Sequence, residues 1–332
     1  MPTENSPIRF GFLSTAGIGT KVKRAVDLAD GAEISAIASR TVEKAQEWAE
    51  KHQVSKAYGT YDELLADPDI DAVYIPLPPS MHMEWATKAA EAGKHVLCEK
   101  PLASNADEAR EMAKVCRQNG VQLMDGVMWV HHERTEAMKK VLDEDLGKLR
   151  HVTAAFTFNF GDDVPMQNIR VNPDLAGGCL GDLGYYCIRA ILLAFEDLPT
   201  RAFAAARSFN GVDFNVDGLL WFEGDRMASF NCAFDTSFRK WLEVAGTEGS
   251  LVCDDFVLPN SEEKTRFWVH GPKKAEHNFG ECVQEARMIE HFVGAIRSGE
   301  LNADWPEIAI KCMQVCDAIL ESAETGQTVD VE

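Results

Sequence analysis

Short apolar runs alternate with segments of helical periodicity through the first third of this chain, and that alternation restricts the fold more than any other feature. Runs at residues 8–13, 33–38, 72–75, 95–98 and 121–124 read as strands. Between them, residues 17–28, 42–52, 61–66, 80–92 and 106–119 read as helices; Ala45, Trp48 and Ala49 show the helical spacing of apolar side chains in one of them. Gly93 and Gly120 stand where helix C-caps belong. Strand–helix–strand repetition of this kind predicts a parallel sheet wound on both faces by helices.

Beyond Trp129 the texture changes. A helix at 135–142 is followed by strand-like segments at 151–160, 201–209, 217–222, 227–233 and 241–245, joined through Gly or Asn turns such as Glu223-Gly224-Asp225. Helices return at 185–195, 282–298 and 305–325. The 332 residues are long enough for two domains, and we divide them into residues 1–128, a doubly wound α/β domain, and 129–332, an α+β domain with a large, mostly antiparallel sheet.

Composition narrows the function classes. With 33 basic and 53 acidic side chains the net charge is −20, which argues against a nucleic-acid partner, since binding there needs a basic surface to displace counterions. Nine cysteines with no paired spacing make neither a disulfide framework nor a zinc site, and Cys312 and Cys316 read as small buried apolar residues. Residues 1–7 are polar and carry no leader pattern. The apolar run 187–195 contains Arg189 and falls short of the roughly 20 residues a membrane span needs. A cytoplasmic protein with no membrane partner is expected.

Four places carry chemistry. The first strand runs into Ser14-Thr15-Ala16-Gly17-Ile18-Gly19, a strand-to-helix turn whose backbone N–H groups suit a pyrophosphate. Against the pattern G-x-G-x-x-G, Ser14 and Ala16 replace two glycines. The second strand ends at Ser39-Arg40-Thr41, without the acid that would bind the ribose hydroxyls of NAD. Arg40, with Lys44 one turn on, suits the 2′-phosphate of NADP instead, and NAD is the second choice. After the fourth strand comes Glu99-Lys100-Pro101, at the strand end where α/β sheets bind ligands, although a lysine there could simply cap a turn. In the second half, Ala176-Gly177-Gly178-Cys179-Leu180-Gly181-Asp182-Leu183-Gly184-Tyr185-Tyr186 sets a carboxylate and a phenol four residues apart. On a helix they would share one face, and with Lys100 they could orient and deprotonate a carbinol.

Together these motifs resemble the glucose–fructose oxidoreductase / inositol dehydrogenase (Gfo/Idh/MocA) superfamily over nearly the whole chain. Residues 75–82 after the third strand, 243–251 late in the second-half sheet, and 317–323 in the last helix add to the likeness. The resemblance implies a Rossmann domain followed by a substrate-binding domain. It also implies an NADP-dependent oxidoreductase acting on a secondary or hemiacetal alcohol of a sugar or cyclic diol. Lys100 takes the place of the catalytic lysine and Asp182 that of the substrate-orienting aspartate, while Tyr186 stands where some members carry an acid/base histidine. Tyrosine there, with Ser14 and the Ser39-Arg40 pair, is similar to the sugar-oxidising and dihydrodiol dehydrogenase branch. Glu99 and Pro101 would frame the nicotinamide, Leu77, Pro78 and His82 would line the cofactor crevice, and Trp129 would wall the substrate pocket.

One departure stands out: Val130 occupies a position where that branch often has arginine. The neighbouring His131 and His132 would point opposite ways on an extended segment, so no metal site is expected. Two further classes share the architecture, a cofactor-dependent redox-neutral glycosidase and a non-catalytic NADP sensor. Intact Lys100, Asp182 and Tyr186 argue against the sensor. Strand 152–156 is apolar in both registers. A sheet face left uncovered by helices would therefore be buried against a second subunit, with a homodimer the first expectation.

Overall fold

The computed structural model describes residues 6–161, 164–259 and 265–332. The chain divides into two units: one made of Met1–His131 with Val283–Ala309, the other of His132–Cys282 with Ile310–Glu332.

In the first unit, β1 (Ile8–Leu13), β2 (Ala32–Ala38), β3 (Lys56–Tyr58), β4 (Ala72–Ile75), β5 (His95–Cys98) and β6 (Leu123–Asp125) form one parallel sheet in the order β3-β2-β1-β4-β5-β6. The helices α1 (Gly17–Leu28), α2 (Val42–His52), α3 (Tyr61–Leu65), α4 (His82–Glu91) and α5 (Ala106–Gln118) alternate with them. Five strands were expected and six are present. The addition, β3, is three residues long, too short for any periodicity to register. β4 is buried along its whole length, as a central strand covered on both faces requires. Gly11 in β1 permits close packing of α3: a Cβ there would stand 2.5 Å from Leu64 Cδ2.

The second unit opens with α6 (Glu133–Glu144), which leads into β7 (Leu149–Asn159). A single turn of π-helix, Leu180–Gly184, then continues directly into α7 (Tyr185–Phe195). β8 (Arg201–Phe209), β9 (Val212–Phe222), β10 (Arg226–Ala233), β11 (Asp235–Gly246), β12 (Ser250–Cys253), β13 (Thr265–His270), β14 (Ala275–Phe279) and β15 (Val329–Asp330) complete a nine-stranded sheet. Its order is β14-β13-β12-β11-β7-β10-β9-β8-β15, antiparallel except where β10 pairs with β7. Alternate residues Phe214, Val216, Leu220 and Phe222 of β9 are buried, with Ala228, Phe230 and Cys232 of β10. α7 is apolar apart from Arg189 and buried at all but one of its positions, so it serves as the core helix beneath this sheet. The run Pro173–Phe195 is long and apolar enough to cross a membrane by composition, and 83% of its most apolar window lies inside the unit.

After the sheet the chain returns to the first unit through α8 (Gln284–Ser298), which packs on α1 and joins Lys21 Nζ to Glu285 Oε1 at 2.6 Å. Phe292 of α8 meets Phe10 of β1, with ring centroids 6.0 Å apart. The last long helix, α9 (Asp304–Thr325), buries Cys312 and Cys316. A single division after residue 128 does not anticipate this return, which depends on tertiary packing.

The edge strand β3 is held by charge. Lys56 Nζ donates to Asp67 Oδ2 and to Asp69 Oδ2, both at 2.8 Å, and the Tyr58 hydroxyl donates to Asp67 Oδ2 at 2.8 Å. Burial alone would raise the Asp67 carboxyl, but these bonds and the Asp69 N–H hold it down to about 2. A depressed folded value means the stabilisation is present above the unfolded pKa, near 3.9, and is lost as pH falls towards 2. Asp67→Asn should therefore cost about 1–3 kcal/mol at neutral pH and flatten the fall in stability below pH 4. Urea midpoints measured from pH 7 to pH 2 check this; an unchanged profile would remove the network from the account.

Candidate active site

In the first unit, the turn after β1 carries the nucleotide-binding expectations. Ser14 has φ of +132°, taking the backbone role usually left to glycine, and its hydroxyl accepts from the Ala16 N–H at 3.1 Å. α1 begins at Gly17 with no side-chain cap and no acidic residue in its first turn. Nothing lies within 4 Å of a Cβ placed on Gly17, and Ile18 is exposed. An uncapped, unobstructed helix N-terminus fits a dinucleotide pyrophosphate. Thr15 and Ala16 are half-buried in the same turn.

At the end of β2, Ser39 is buried and donates its N–H to the Tyr58 carbonyl at 3.2 Å, whereas Arg40 and Lys44 are exposed. The Thr41 side chain caps α2, accepting from the Lys44 N–H. Tyr61, the first residue of α3, lies near Ser14 and within the field of Arg40. Burial pushes its phenol up, with those two neighbours opposing. Sequence reading treated Tyr61 only as part of a helix.

The loops after β4 and β5 are tied together by His82, which is fully buried. Its Nε2 faces the Leu77 carbonyl at 2.8 Å, and its Nδ1 faces the Pro101 and Leu102 carbonyls at 3.0 and 3.2 Å. It thus fastens the wall of Leu77 and Pro78 from behind. The Lys100–Pro101 peptide is cis. Glu99 Oε1 accepts from the Tyr74 hydroxyl at 2.7 Å, and Oε2 accepts from the Lys100 N–H at 3.3 Å. Burial holds the Glu99 carboxyl above the ordinary carboxylate value, against the opposing Lys100 charge and Tyr74 bond. Lys100 itself is half-buried. Trp129 is fully buried within a short 3-10 helix, Met128–His131, and the two histidines diverge: His131 Nδ1 meets His291 Nδ1 at 2.9 Å, while His132 Nδ1 accepts from the Arg134 N–H.

In the second unit, Asp182 lies in the π turn and Tyr186 at the start of α7, so the expected single helix changes its winding between them. Isolated π turns recur at functional sites because they displace a side chain from the regular helical rows. The glycines before the turn are sterically required. A Cβ on Gly177 would stand 2.6 Å from the Ile169 carbonyl oxygen, and Gly178 has φ of +133°. The latter lets Asp213 come in close, where Oδ2 accepts the Leu180 N–H at 2.6 Å and caps the turn. The Tyr186 ring meets Phe156 of β7 nearly edge-on, with centroids 5.5 Å apart.

Arg170 was not anticipated. Its Nε donates to Asp182 Oδ2 at 2.6 Å, and its guanidinium lies 6.0 Å from the centre of the Phe158 ring. Nothing in the local sequence marks a partner twelve residues away across an irregular loop.

The comparisons agree with this architecture. A family model described as "Oxidoreductase family, NAD-binding Rossmann fold" matches residues 8–127, and the GFO/IDH/MocA C-terminal domain model matches residues 135–252. The chain belongs to this oxidoreductase family. It is 36% identical to a D-xylose 1-dehydrogenase (NADP(+)) of Haloferax volcanii, over 97% of this chain and 99% of that protein. It is also 36% identical to a trans-1,2-dihydrobenzene-1,2-diol dehydrogenase of Oryctolagus cuniculus, over 87% and 88% of the two chains. Among solved structures, a 3-ketoreductase from Actinomadura kijaniata in complex with NADP and TDP-benzene superimposes with a TM-score of 0.89 at 30% identity, covering 96% of this chain and 98% of that one.

The Arg170–Asp182 pair generates a prediction. Arg170→Met keeps the aliphatic stem and removes the charge-assisted bond, so kcat/KM should fall about tenfold or more as Asp182 loses its orientation. Steady-state kinetics with the alcohol substrate test this; an unchanged kcat/KM would make the pair a surface contact.

Proposed function

We propose that this protein is an NADP-dependent dehydrogenase or reductase acting on the secondary or hemiacetal alcohol of a sugar or cyclic diol, with residues 1–128 as its cofactor-binding domain. The observation that carries the reading is the Asp182–Tyr186 arrangement: a carboxylate and a phenol held by a π turn that Asp213 caps and Arg170 braces. The matching names among its relatives, a xylose dehydrogenase and a 3-ketoreductase, support the substrate class. Arg40, standing where an NAD enzyme would place an acid, supports the choice of NADP.

In the oxidising direction Asp182 orients the substrate hydroxyl and Tyr186 accepts its proton. Lys100 supplies the positive charge that favours the phenolate and polarises the developing carbonyl; an isolated phenol, with a pKa near 10, needs that help at neutral pH. Bound NADP supplies the hydride-acceptor chemistry. Ser14 to Ile18 would hold its pyrophosphate, and Ser39, Arg40 and Lys44 its 2′-phosphate end. Leu77, Pro78, His82 and Glu99 would shape the loops beside it, and Trp129 would back the substrate pocket.

A homodimer formed through the second-unit sheet belongs to the same reading. Leu219 of β9 and Trp241 of β11 are each 38% exposed on the face of the sheet opposite α7, a face that a second copy would cover. The nine cysteines are free thiols, including Cys179 and Cys232 with sulfurs 3.7 Å apart, which suits a reducing cytoplasm.

Tyr186→Phe should lower turnover by about 10²–10⁴ with little change in cofactor affinity. Arg40→Asp should shift the ratio of catalytic efficiencies from NADP towards NAD. A Phe variant with near-normal turnover would move the proton transfer elsewhere, and an unchanged cofactor ratio would remove Arg40 from 2′-phosphate recognition.

A further inference from the structure

Phe238 of β11 is 60% exposed, the largest value among the described large apolar side chains. A single exposed apolar residue is ordinary and needs no ligand. Phe238 differs because both its backbone and its ring are held in that exposed position.

The backbone is held by an irregularity in the sheet. β11 pairs with β7 in regular register from Ala245 opposite His151 to Arg239 opposite Thr157, and the next pair is Asp235 opposite Asn159. Thr236, Ser237 and Phe238 therefore stand against one residue of β7, Phe158, and bulges beside active sites re-aim a side chain in this way. Thr157 fixes the bulge from the neighbouring strand. Its hydroxyl donates to the Ser237 carbonyl at 2.6 Å and accepts from Arg239 Nε at 3.2 Å. The ring is held by two contacts. Its centroid lies 6.4 Å from that of Phe156, with the planes at 65°, and Lys240 Nζ stands 4.8 Å from its centre. Lys240 is itself tethered, donating to the Leu258 carbonyl at 2.9 Å and to the Asp255 carboxylate.

Phe156 connects this ring to the proposed chemistry. It also meets Tyr186, at 5.5 Å, so Tyr186, Phe156 and Phe238 form an aromatic row. The first two are buried and the third ends the row in solvent. Polar recognition gathers at Asp182, braced by Arg170, and the row extends from Tyr186 as apolar surface.

We propose that Phe238 is a substrate-recognition residue that packs against the C–H face of a ring-form alcohol, so that the site selects cyclic substrates over open-chain polyols. The proposal rests on the dehydrogenase reading of Asp182 and Tyr186. A pyranose or cyclic diol presents C–H groups on a rigid face, which an aromatic ring attracts by dispersion and through its negative quadrupole. An open-chain polyol must give up rotamer freedom to offer a comparable surface. Phe238 is separated from Tyr186 by Phe156, so its contact is alike in the ground and transition states and contributes to binding, not to turnover.

The test is steady-state kinetics at saturating NADP with three ring alcohols, D-glucose, myo-inositol and cyclohexane-1,2-diol, and two open-chain ones, D-glucitol and hexane-3,4-diol. Phe238→Ala should raise KM for the ring alcohols that are turned over by about 3–10-fold, with kcat, the KM for NADP and the melting temperature little changed. The kcat/KM of the open-chain alcohols should move less than about twofold. Phe238→Trp restores a flat aromatic surface and should return KM to within about twofold of wild type. A wild-type KM in Phe238→Ala would overturn the proposal, as would an equal loss for ring and open-chain alcohols or no rescue by Trp. An unchanged KM with an altered oligomeric state on size-exclusion chromatography would overturn it too, assigning the ring to a contact between copies. If wild type turns over none of these alcohols, the dehydrogenase reading fails and Phe238 is judged by calorimetric titration of the same ring alcohols into the NADP-loaded protein. Weaker binding by Phe238→Ala would then support its role, and equal or absent binding would overturn it.

Discussion

The ring nitrogens of His82 reach carbonyl groups on two different loops, Leu77 after β4 and Pro101 with Leu102 after β5. Parallel strands end with their carbonyls and side chains directed towards a common edge, and the loops leaving that edge have no sheet to hold them. A buried imidazole supplies the missing constraint. It places Lys100 and Pro101 on a backbone fixed from the interior, while the Tyr74 hydroxyl fixes Glu99 from the neighbouring strand. Burial lowers the pKa of this histidine even though its carbonyl partners favour the charged form. The neutral ring carries a single N–H and can donate to only one of the two loops; donating to both requires the charged ring, which burial opposes.

The second unit solves a comparable problem with a change of helical winding. Gly177 and Gly178 leave room for the Ile169 carbonyl and the Asp213 carboxylate, and Asp213 caps a π turn that a longer side chain would displace. The turn holds Asp182 where Arg170 can reach it, and α7 then carries Tyr186 into the sheet beside Phe156. Both units follow one rule: groups with chemistry to perform are held by buried polar contacts behind them, so that their reacting atoms need not hold themselves.

Much of this was legible in the residues. The strand–helix alternation is set by burial on both faces of a parallel sheet, so five of its six strands and all five helices of the first sheet's layer could be read. β3 escaped because three residues show no period. In the second unit β12, β13, β14 and β15 escaped: β12 and the two-residue β15 are too short to show a period, β13 carries Phe267, Trp268 and Val269 in one unbroken run, and β14 is apolar only at its ends. Asp182 and Tyr186 were visible as a motif, but Arg170 and Asp213 were not. Each acts through a contact across a loop or between elements, and spacing along the chain carries no record of such a contact. The return of Val283–Ala309 to the first unit is of the same kind.

The central claim is that these braced groups serve a hydride transfer between NADP and a sugar-like or cyclic alcohol. Absorbance at 340 nm, followed with NADP and with NAD across a panel of aldoses, inositols and cyclic diols, tests it most directly. The account predicts a rise with one alcohol class and a marked preference for NADP. No rise across the panel, from a protein that still binds the cofactor, would contradict it and return the redox-neutral and sensor readings to the front.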